Sequence, residues 1–288
     1  MLRRNSTHND EAFCNAYKAE SAKPFEIKKL CRYRKNVLDL LNLFGKKALT
    51  CYILFDVDMS EVERLRKEMD REHHHVTVTS FLLKAIALAQ KDFPSSRTVF
   101  LPDARLATLK NIVAGFTVER KIKGEPAVFF GEIEDPQAKT IMELNTRLAE
   151  YGNADIMQVP KLKEQKLFAE LPCLARRIIL FLGSWFPALR LKCQAATFGL
   201  SSLGALGINV AFGPSVCTSV FGVGAVEAKP VVRNEQVVIR PILTMSLCFD
   251  QRAMNGPEAE RFAARIRDLL QGEMPDLQQP ETIQLLKT

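Results

Sequence analysis

A strand-turn-strand run near the C-terminus restricts this chain to folds built around a sheet. Its arms are KPVV (229–232) and the long apolar stretch VVIRPILTMSLCF (237–249), joined through Arg233-Asn234-Glu235-Gln236. β-Branched and aromatic residues at this density fit a pleated, largely buried surface. Two further strand-like stretches, TFGLSSLG and CTSVFGVGAV, precede the hairpin, and a helix begun at Pro257 (PEAERFAARIRDLLQ) follows it.

Upstream, helices and strands alternate without a regular βαβ period. Residues 1–22 read as a loose polar arm, and Phe25 to Phe44 as a helix ended by Gly45. LTCYILFDVDM reads as a strand through about Val57. Ser60 with Glu63 then forms a capping box that opens the helix EVERLRKEMDRE. A helix from about Thr79 to Phe93 is apolar almost all round and stops at Pro94, so it should be buried. IVAGFTV and AVFFGEI read as short strands, and QAKTIMELNTRLAEY, after Pro136, as a helix with Gly152 at its C-cap. Residues 156–195 read as irregular and apolar. Within them Leu171, Leu174, Ala175, Ile178, Leu182 and Trp185 form one helical stripe, with Arg176 and Arg177 off it, expected to pack on the body or line a channel. Attachment to a membrane surface is the lesser reading of that amphipathic segment. The expected fold class is α/β with a mixed sheet covered by helices (α+β in layout). Expected boundaries are an arm over 1–24, one domain over 25–272 and a tail over 273–288.

Bulk properties exclude more than they assign. A length of 288 residues suits one large core. Lys and Arg number 40 against 33 Asp and Glu, but the positive charges are scattered, so no nucleic-acid partner is expected. Seven cysteines (Cys14, Cys31, Cys51, Cys173, Cys193, Cys217, Cys248) are odd in number and never spaced C-x-x-C. That argues against a disulfide framework or a zinc site and for a reducing, cytoplasmic setting. MLRRNSTHND carries no secretory apolar run, and Ile178 to Trp185 is too short to span a bilayer. Only four histidines exist: His8 and the run His73-His74-His75. Three adjacent loop residues cannot all point one way, so a solvated loop is a better reading than a metal site.

The chemistry-bearing stretch follows the last strand: Asp250-Gln251-Arg252-Ala253-Met254-Asn255-Gly256, leading into a helix. Here the chain resembles the lipoate-linked acyltransferases of 2-oxoacid dehydrogenase complexes, which share a fold with chloramphenicol acetyltransferase. Their signature at this place is D-H-R-x-x-D-G, occasionally with Asn for the second Asp. LTCYILFDVDMSEVERLRKEM, VTVTSFLLKAIALAQKDFP and TFGLSSLGALG, followed by FGVGAVEAKPVVRNEQVVIRPILTMSLCFD, resemble other blocks of the family in the same order.

The resemblance implies a homotrimer with active sites between subunits. A histidine deprotonates a thiol or hydroxyl, which attacks an acyl thioester, and a serine of the neighbouring subunit holds the oxyanion. Carried over, Ser201 takes the oxyanion position, Asn255 and Gly256 match theirs, and Gln251 stands where the histidine belongs. Ser202, Gly204, Arg252 and Gly256 are the implied substrate contacts. A carboxamide has no usable basicity near neutral pH, so Gln251 orients but does not deprotonate. Asp250 reads as a structural acceptor paired with an arginine, and Cys217 and Cys248 as inert apolar thiols.

The family's enzymes carry lipoyl modules ahead of this domain. Here about 25 residues precede the first helix and no lipoyl-type lysine motif appears, so the expectation is a free-standing member. Expected chemistry is histidine-independent, acting on a coenzyme A or carrier-bound thioester and including condensation, cyclisation or elimination. No tightly bound cofactor is expected, and coenzyme A enters only as a co-substrate. The rival readings are a non-catalytic homologue that binds such a molecule or a protein partner and, more weakly, a metabolite-binding regulator.

Overall fold

A computed structural model describes residues 32–44, 48–101, 104–122, 125–185, 196–204, 207–213 and 217–278. The expected arm 1–24, the helix start at Phe25, its stop at Gly45, His8, Cys14, Cys31, Cys193 and the end of the tail lie outside those residues. In chain order the elements are α1 (Arg32–Phe44), β1 (Thr50–Asp58), α2 (Ser60–Arg71), α3 (Val78–Asp92), β2 (Thr98–Phe100), β3 (Leu106–Thr108), β4 (Val113–Ile122) and β5 (Glu125–Glu134). There follow α4 (Ile141–Asn153), α5 (Pro160–Glu170), α6 (Cys173–Trp185), β6 (Phe198–Ser202), β7 (Ser219–Arg233), β8 (Gln236–Asp250), α7 (Gly256–Asp268) and α8 (Pro275–Gln278).

The C-terminal hairpin is present as read. Asn234 and Glu235 both take positive φ (49° and 63°), the backbone of a two-residue turn whose twist matches the strands it joins. Its long arms form the centre of a six-stranded sheet ordered β1-β8-β7-β6-β4-β5. β6 runs parallel to both β4 and β7, and the other pairs are antiparallel, so the sheet is mixed. β2 and β3 form a separate two-stranded ribbon.

Period-two alternation sends Leu243, Met245, Leu247 and Phe249 of β8 into the core beside Phe221 and Val223 of β7 and Phe198 and Leu200 of β6. α3 lies against this face. Phe81, Leu82, Leu83, Ala85 and Ile86 are fully buried, as the all-round apolar pattern requires. A buried polar residue on α3 fixes β6. Gln90 Nε2 donates to the Ser96 carbonyl (3.1 Å), while its Oε1 accepts from Thr197 Oγ1 (2.7 Å), one residue ahead of β6. The opposite face of β7 and β8 is crossed by the segment after β6. A Cβ on Gly222 would lie 2.0 Å from the Ala211 carbonyl oxygen, so only glycine admits that crossing.

Several expectations are corrected. Ser60 does not cap α2: its N–H (3.0 Å) and Oγ (2.6 Å) both donate to Asp58 Oδ1, so the carboxylate two residues earlier takes the role. The helix after Pro136 begins only at Ile141. Thr140 and Glu143 make the capping box there, and Gly152 lies inside the last turn, with Ala154 at the C-cap. The supposedly irregular 156–195 contains α5 and α6. The core also runs past residue 272, because Met274 and Leu277 are buried and the Asp276 carboxylate reaches Lys84 Nζ at 3.7 Å.

The stripe on α6 is inverted relative to its expected packing. Leu174 is 72 % exposed and Ile178 50 %, whereas Arg176 is 2 % exposed and pairs with Asp39 of α1 at 3.2 Å. The Trp185 side chain lies outside the described residues. A buried ion pair, not apolar periodicity, decides which side of α6 faces inward.

Candidate active site

Ser201 sits on β6 opposite Gly222 of β7, on the sheet face turned away from Leu200 and the core. The Thr117 hydroxyl of β4 donates to Ser201 Oγ (3.3 Å), which leaves the serine's own proton to donate elsewhere. Thr117 was not read as a site residue. The signal that would have found it is the parallel register of β4 and β6, which one sequence does not display.

One residue on, Ser202 and then Gly204 line a cavity of about 780 Å³ against Val78 and Leu82 of α3 and the β7–β8 ladder. The ladder is irregular there, its register shifting between Val223 and Val226, and such bulges re-aim side chains beside sites. Gly204 is required by contact: a Cβ would come within 2.7 Å of the Gly224 carbonyl oxygen. Arg66, Lys67 and Arg240 on the cavity wall face Glu63 and Glu227. Arg66 is already held by Glu63 at 2.6 Å.

The second cluster lies just past the end of β8. The Gln251 backbone N–H donates to the Leu49 carbonyl (2.9 Å), which fixes the turn against the start of β1. The exposed carboxamide accepts a hydrogen bond from the Cys51 thiol (Sγ to Oε1, 3.0 Å), so its NH₂ end is left to donate outward. Cys51 is the second residue that the sequence reading passed over, hidden in an ordinary strand pattern.

Asp250 is the structural acceptor expected of it. It takes the Arg252 backbone N–H (3.1 Å), Nε (2.9 Å) and Nη2 (2.5 Å). Those bonds push the guanidinium pKa up, and the group also stacks 4.4 Å above the Phe100 ring. Arg252, taken as a substrate contact, therefore has its fork occupied within the protomer. Asn255 is the N-cap of α7. Its Oδ1 accepts from the Glu258 N–H (3.0 Å), and Glu258 accepts from its backbone N–H (3.2 Å), so only the Asn255 NH₂ remains for a ligand. A Cβ at Gly256 would meet nothing within 4 Å, so the protomer alone gives no steric reason for that glycine.

Ser201 and Gln251 do not meet within one protomer. Ser201 is level with Ser246 through Gly222, two strands across the sheet (about 10 Å) and five residues short of Gln251 (about 17 Å). His73, His74 and His75 follow the end of α2. His73 has positive φ (63°), and His75 Nδ1 bonds Asp70 at 2.8 Å while 89 % exposed, as a solvated loop would have it. Loss of solvation, with the Glu132 carboxylate adding to it, pushes the Cys217 thiol up to about 12, which makes it a poor nucleophile.

Comparison with known proteins bears on this arrangement. The family described as 2-oxoacid dehydrogenases acyltransferase (catalytic domain) matches residues 22–162 and 191–277. The chain belongs to that family. The lipoamide acyltransferase component of the branched-chain alpha-keto acid dehydrogenase complex of Pseudomonas putida is 24 % identical over 223 residues, covering 75 % of this chain and 45 % of its own length. The dihydrolipoyllysine-residue acetyltransferase component of the Haemophilus influenzae pyruvate dehydrogenase complex is 27 % identical over 265 residues, covering 88 % and 41 %. The acyltransferase chain thus spans less than half the length of these curated relatives.

Its fold matches that of Azotobacter vinelandii dihydrolipoamide acetyltransferase, with a TM-score of 0.67 and 23 % identity over 90 % of this chain and 97 % of the other. That enzyme's catalytic mechanism has been investigated through one serine, one histidine and one asparagine. The family match leaves out residues 163–190, which hold most of α5 and all of α6.

Proposed function

We propose that this acyltransferase-family protein transfers an acyl group from a thioester, coenzyme A-linked or carrier-bound, by chemistry that needs no histidine base. The working unit is a homotrimer in the cytoplasm, and each site lies between two copies. The observation that carries the reading is the separation of the two clusters. Ser201 with Thr117 forms one half-site, and Gln251 with Asn255 forms the other about 20 Å away, an arrangement completed only when the second cluster comes from another copy. Exposed Tyr52 and Leu54 on β1, and Val232, Val237 and Ile239 on the hairpin, supply apolar surface for such an assembly.

In this reading Ser201 Oγ–H donates to the oxyanion that forms as the thioester carbonyl is attacked. The outward NH₂ groups of Gln251 and Asn255 hold the nucleophile or a second oxygen. No group of this pair accepts a proton, so the nucleophile arrives already ionised or as a stabilised carbanion. Condensation, cyclisation and elimination therefore suit the site as well as plain acyl transfer. Lys67 and Arg240 at the cavity suit the phosphates of a coenzyme A co-substrate.

Turnover of a panel of coenzyme A thioesters by the purified protein tests this. Ser201→Ala is expected to lower it by about 10²–10³-fold, the usual loss on removing one oxyanion donor. Unchanged turnover in the variant removes Ser201 from the mechanism, and no turnover with any donor favours a non-catalytic homologue that binds the molecule. The trimer is checked by the mass of the protein in solution.

A further inference from the structure

Among the described residues Ser201 has one side-chain hydrogen-bond partner, the Thr117 hydroxyl, which donates to its Oγ across 3.3 Å. The two residues lie one position past the Phe116–Leu200 register pair of the parallel strands β4 and β6. Phe116 and Leu200 are buried in the core, so the next residue of each strand faces the other way. The same cross-strand row continues through Gly222 to Ser246. Ser246 is closed off: it is 1 % exposed, and its hydroxyl donates to the Ala211 carbonyl (2.5 Å). Of these three hydroxyls, those of exposed Thr117 and half-buried Ser201 are left open. A β-branched residue suits a strand, but valine would meet that need as well as threonine. What Thr117 adds is a donor, carried on a stiff side chain and aimed at Ser201.

We infer that Thr117 is a positioning residue for the oxyanion donor, an inference that rests on the proposed role of Ser201 in acyl transfer. A serine hydroxyl is a rotor with one hydrogen and two lone pairs. The hydrogen received from Thr117 occupies the β4 side of Oγ, so the serine's own hydrogen turns away from β4 toward the open face of the sheet. Without that contact the hydroxyl would divide its time among several orientations, most of them spent on water. Held in place, it meets the developing negative charge with no reorientation, the condition under which a preorganised donor is effective. The relay also strengthens the donor, because a hydroxyl that accepts one hydrogen bond donates the next more strongly, by roughly 10–30 % per bond. Thr117 acts through Ser201 alone. Its contribution appears only as the carbonyl oxygen becomes an anion, so its loss falls on kcat and leaves KM nearly untouched.

Steady-state turnover of the coenzyme A thioester panel by Thr117→Val, Thr117→Ser, Ser201→Ala and the Thr117→Val/Ser201→Ala double variant tests the inference. Thr117→Val keeps the shape and the strand preference, so thermal stability and solution mass should not change. Thr117→Ala, which also removes the hydroxyl, takes its place should stability fall. The kcat of Thr117→Val is expected to drop roughly tenfold, less than the loss of about 10²–10³-fold on removing the donor itself, with KM within about twofold. Thr117→Ser restores the hydroxyl and should recover most of that loss. In the Ser201→Ala background Thr117→Val should cost nothing further, because the relay has lost its middle. If Ser201→Ala lowers turnover but Thr117→Val leaves kcat unchanged, or lowers it equally without Ser201, this inference fails and the reading of Ser201 stands. A loss equally large in Thr117→Ser, or one carried by KM, overturns it in the same way. If Ser201→Ala has no effect, or no thioester is turned over, both fall together.

Discussion

Replacing Gln251 with histidine is expected to raise acylation of a thiol acceptor by roughly 10²–10⁴-fold, the range contributed by a positioned general base. The backbone at 251 needs no adjustment, because its N–H already bonds the Leu49 carbonyl and the turn continues into the Asp250–Arg252 clamp. What changes is the side chain. A carboxamide that accepts a hydrogen bond from the Cys51 thiol gives way to an imidazole with a lone pair of useful basicity. The gain has a pH signature. The base works only when neutral, so the added rate falls away as pH drops through the imidazole's ordinary range near 6.5 and is full above it. The measurement is kcat/KM for acetyl exchange between coenzyme A and dihydrolipoamide as a function of pH. Combining the change with Ser201→Ala should remove most of the gain, since base and oxyanion donor then act on one intermediate. If Gln251→His leaves the rate flat at every pH, the cleft has been rebuilt around another chemistry.

The fold was legible wherever local pattern and tertiary demand coincide. The hairpin at Asn234-Glu235, the all-buried α3 and the helix opening at Asn255-Gly256-Pro257 each carry signals within a few residues of one another. The errors arose where another residue, near or far along the chain, overrode the preference read from type and spacing. Ser60 has the type and spacing of a cap, yet Asp58 takes both its N–H and its Oγ. α6 has an apolar stripe that should have been buried, yet Asp39, 137 residues away, pulls Arg176 inward instead. In the candidate site, the one-dimensional motif placed Gln251, Asn255 and Ser201 in the two clusters. The pairing of Asp250 with an arginine and the spacing of Asn255 to Glu258 are local, but the motif could not show that Thr117 and Cys51 adjoin Ser201 and Gln251. Those contacts depend on strand register across β4–β6 and on the turn after β8 meeting β1, which a single sequence does not encode visibly.

The Arg176–Asp39 pair yields the largest expected loss of stability. Arg176 donates through Nη1 to the Ala169 carbonyl (3.3 Å) and through Nη2 to Asp39 (3.2 Å), and its Nε has no partner among the described residues. Asp39→Ala leaves this cation buried with one neutral acceptor. Removing one member of a buried pair costs about 3–5 kcal/mol, and the lower end applies here because the Asp39 carboxylate is 18 % exposed. The loss should be local. With no anion to hold Arg176 inside, the helix gains by turning its arginines to water and Leu174, Ile178 and Leu182 inward, the packing its periodicity favours. Amide exchange in α6 should therefore quicken well beyond that of α3, whose packing does not involve Asp39. Replacing both charges, as Asp39→Leu with Arg176→Met, should restore most of the lost stability, because an apolar pair of similar volume needs no compensating charge. If the double variant is as unstable as Asp39→Ala alone, the cost lies in shape around α1 and not in the stranded guanidinium.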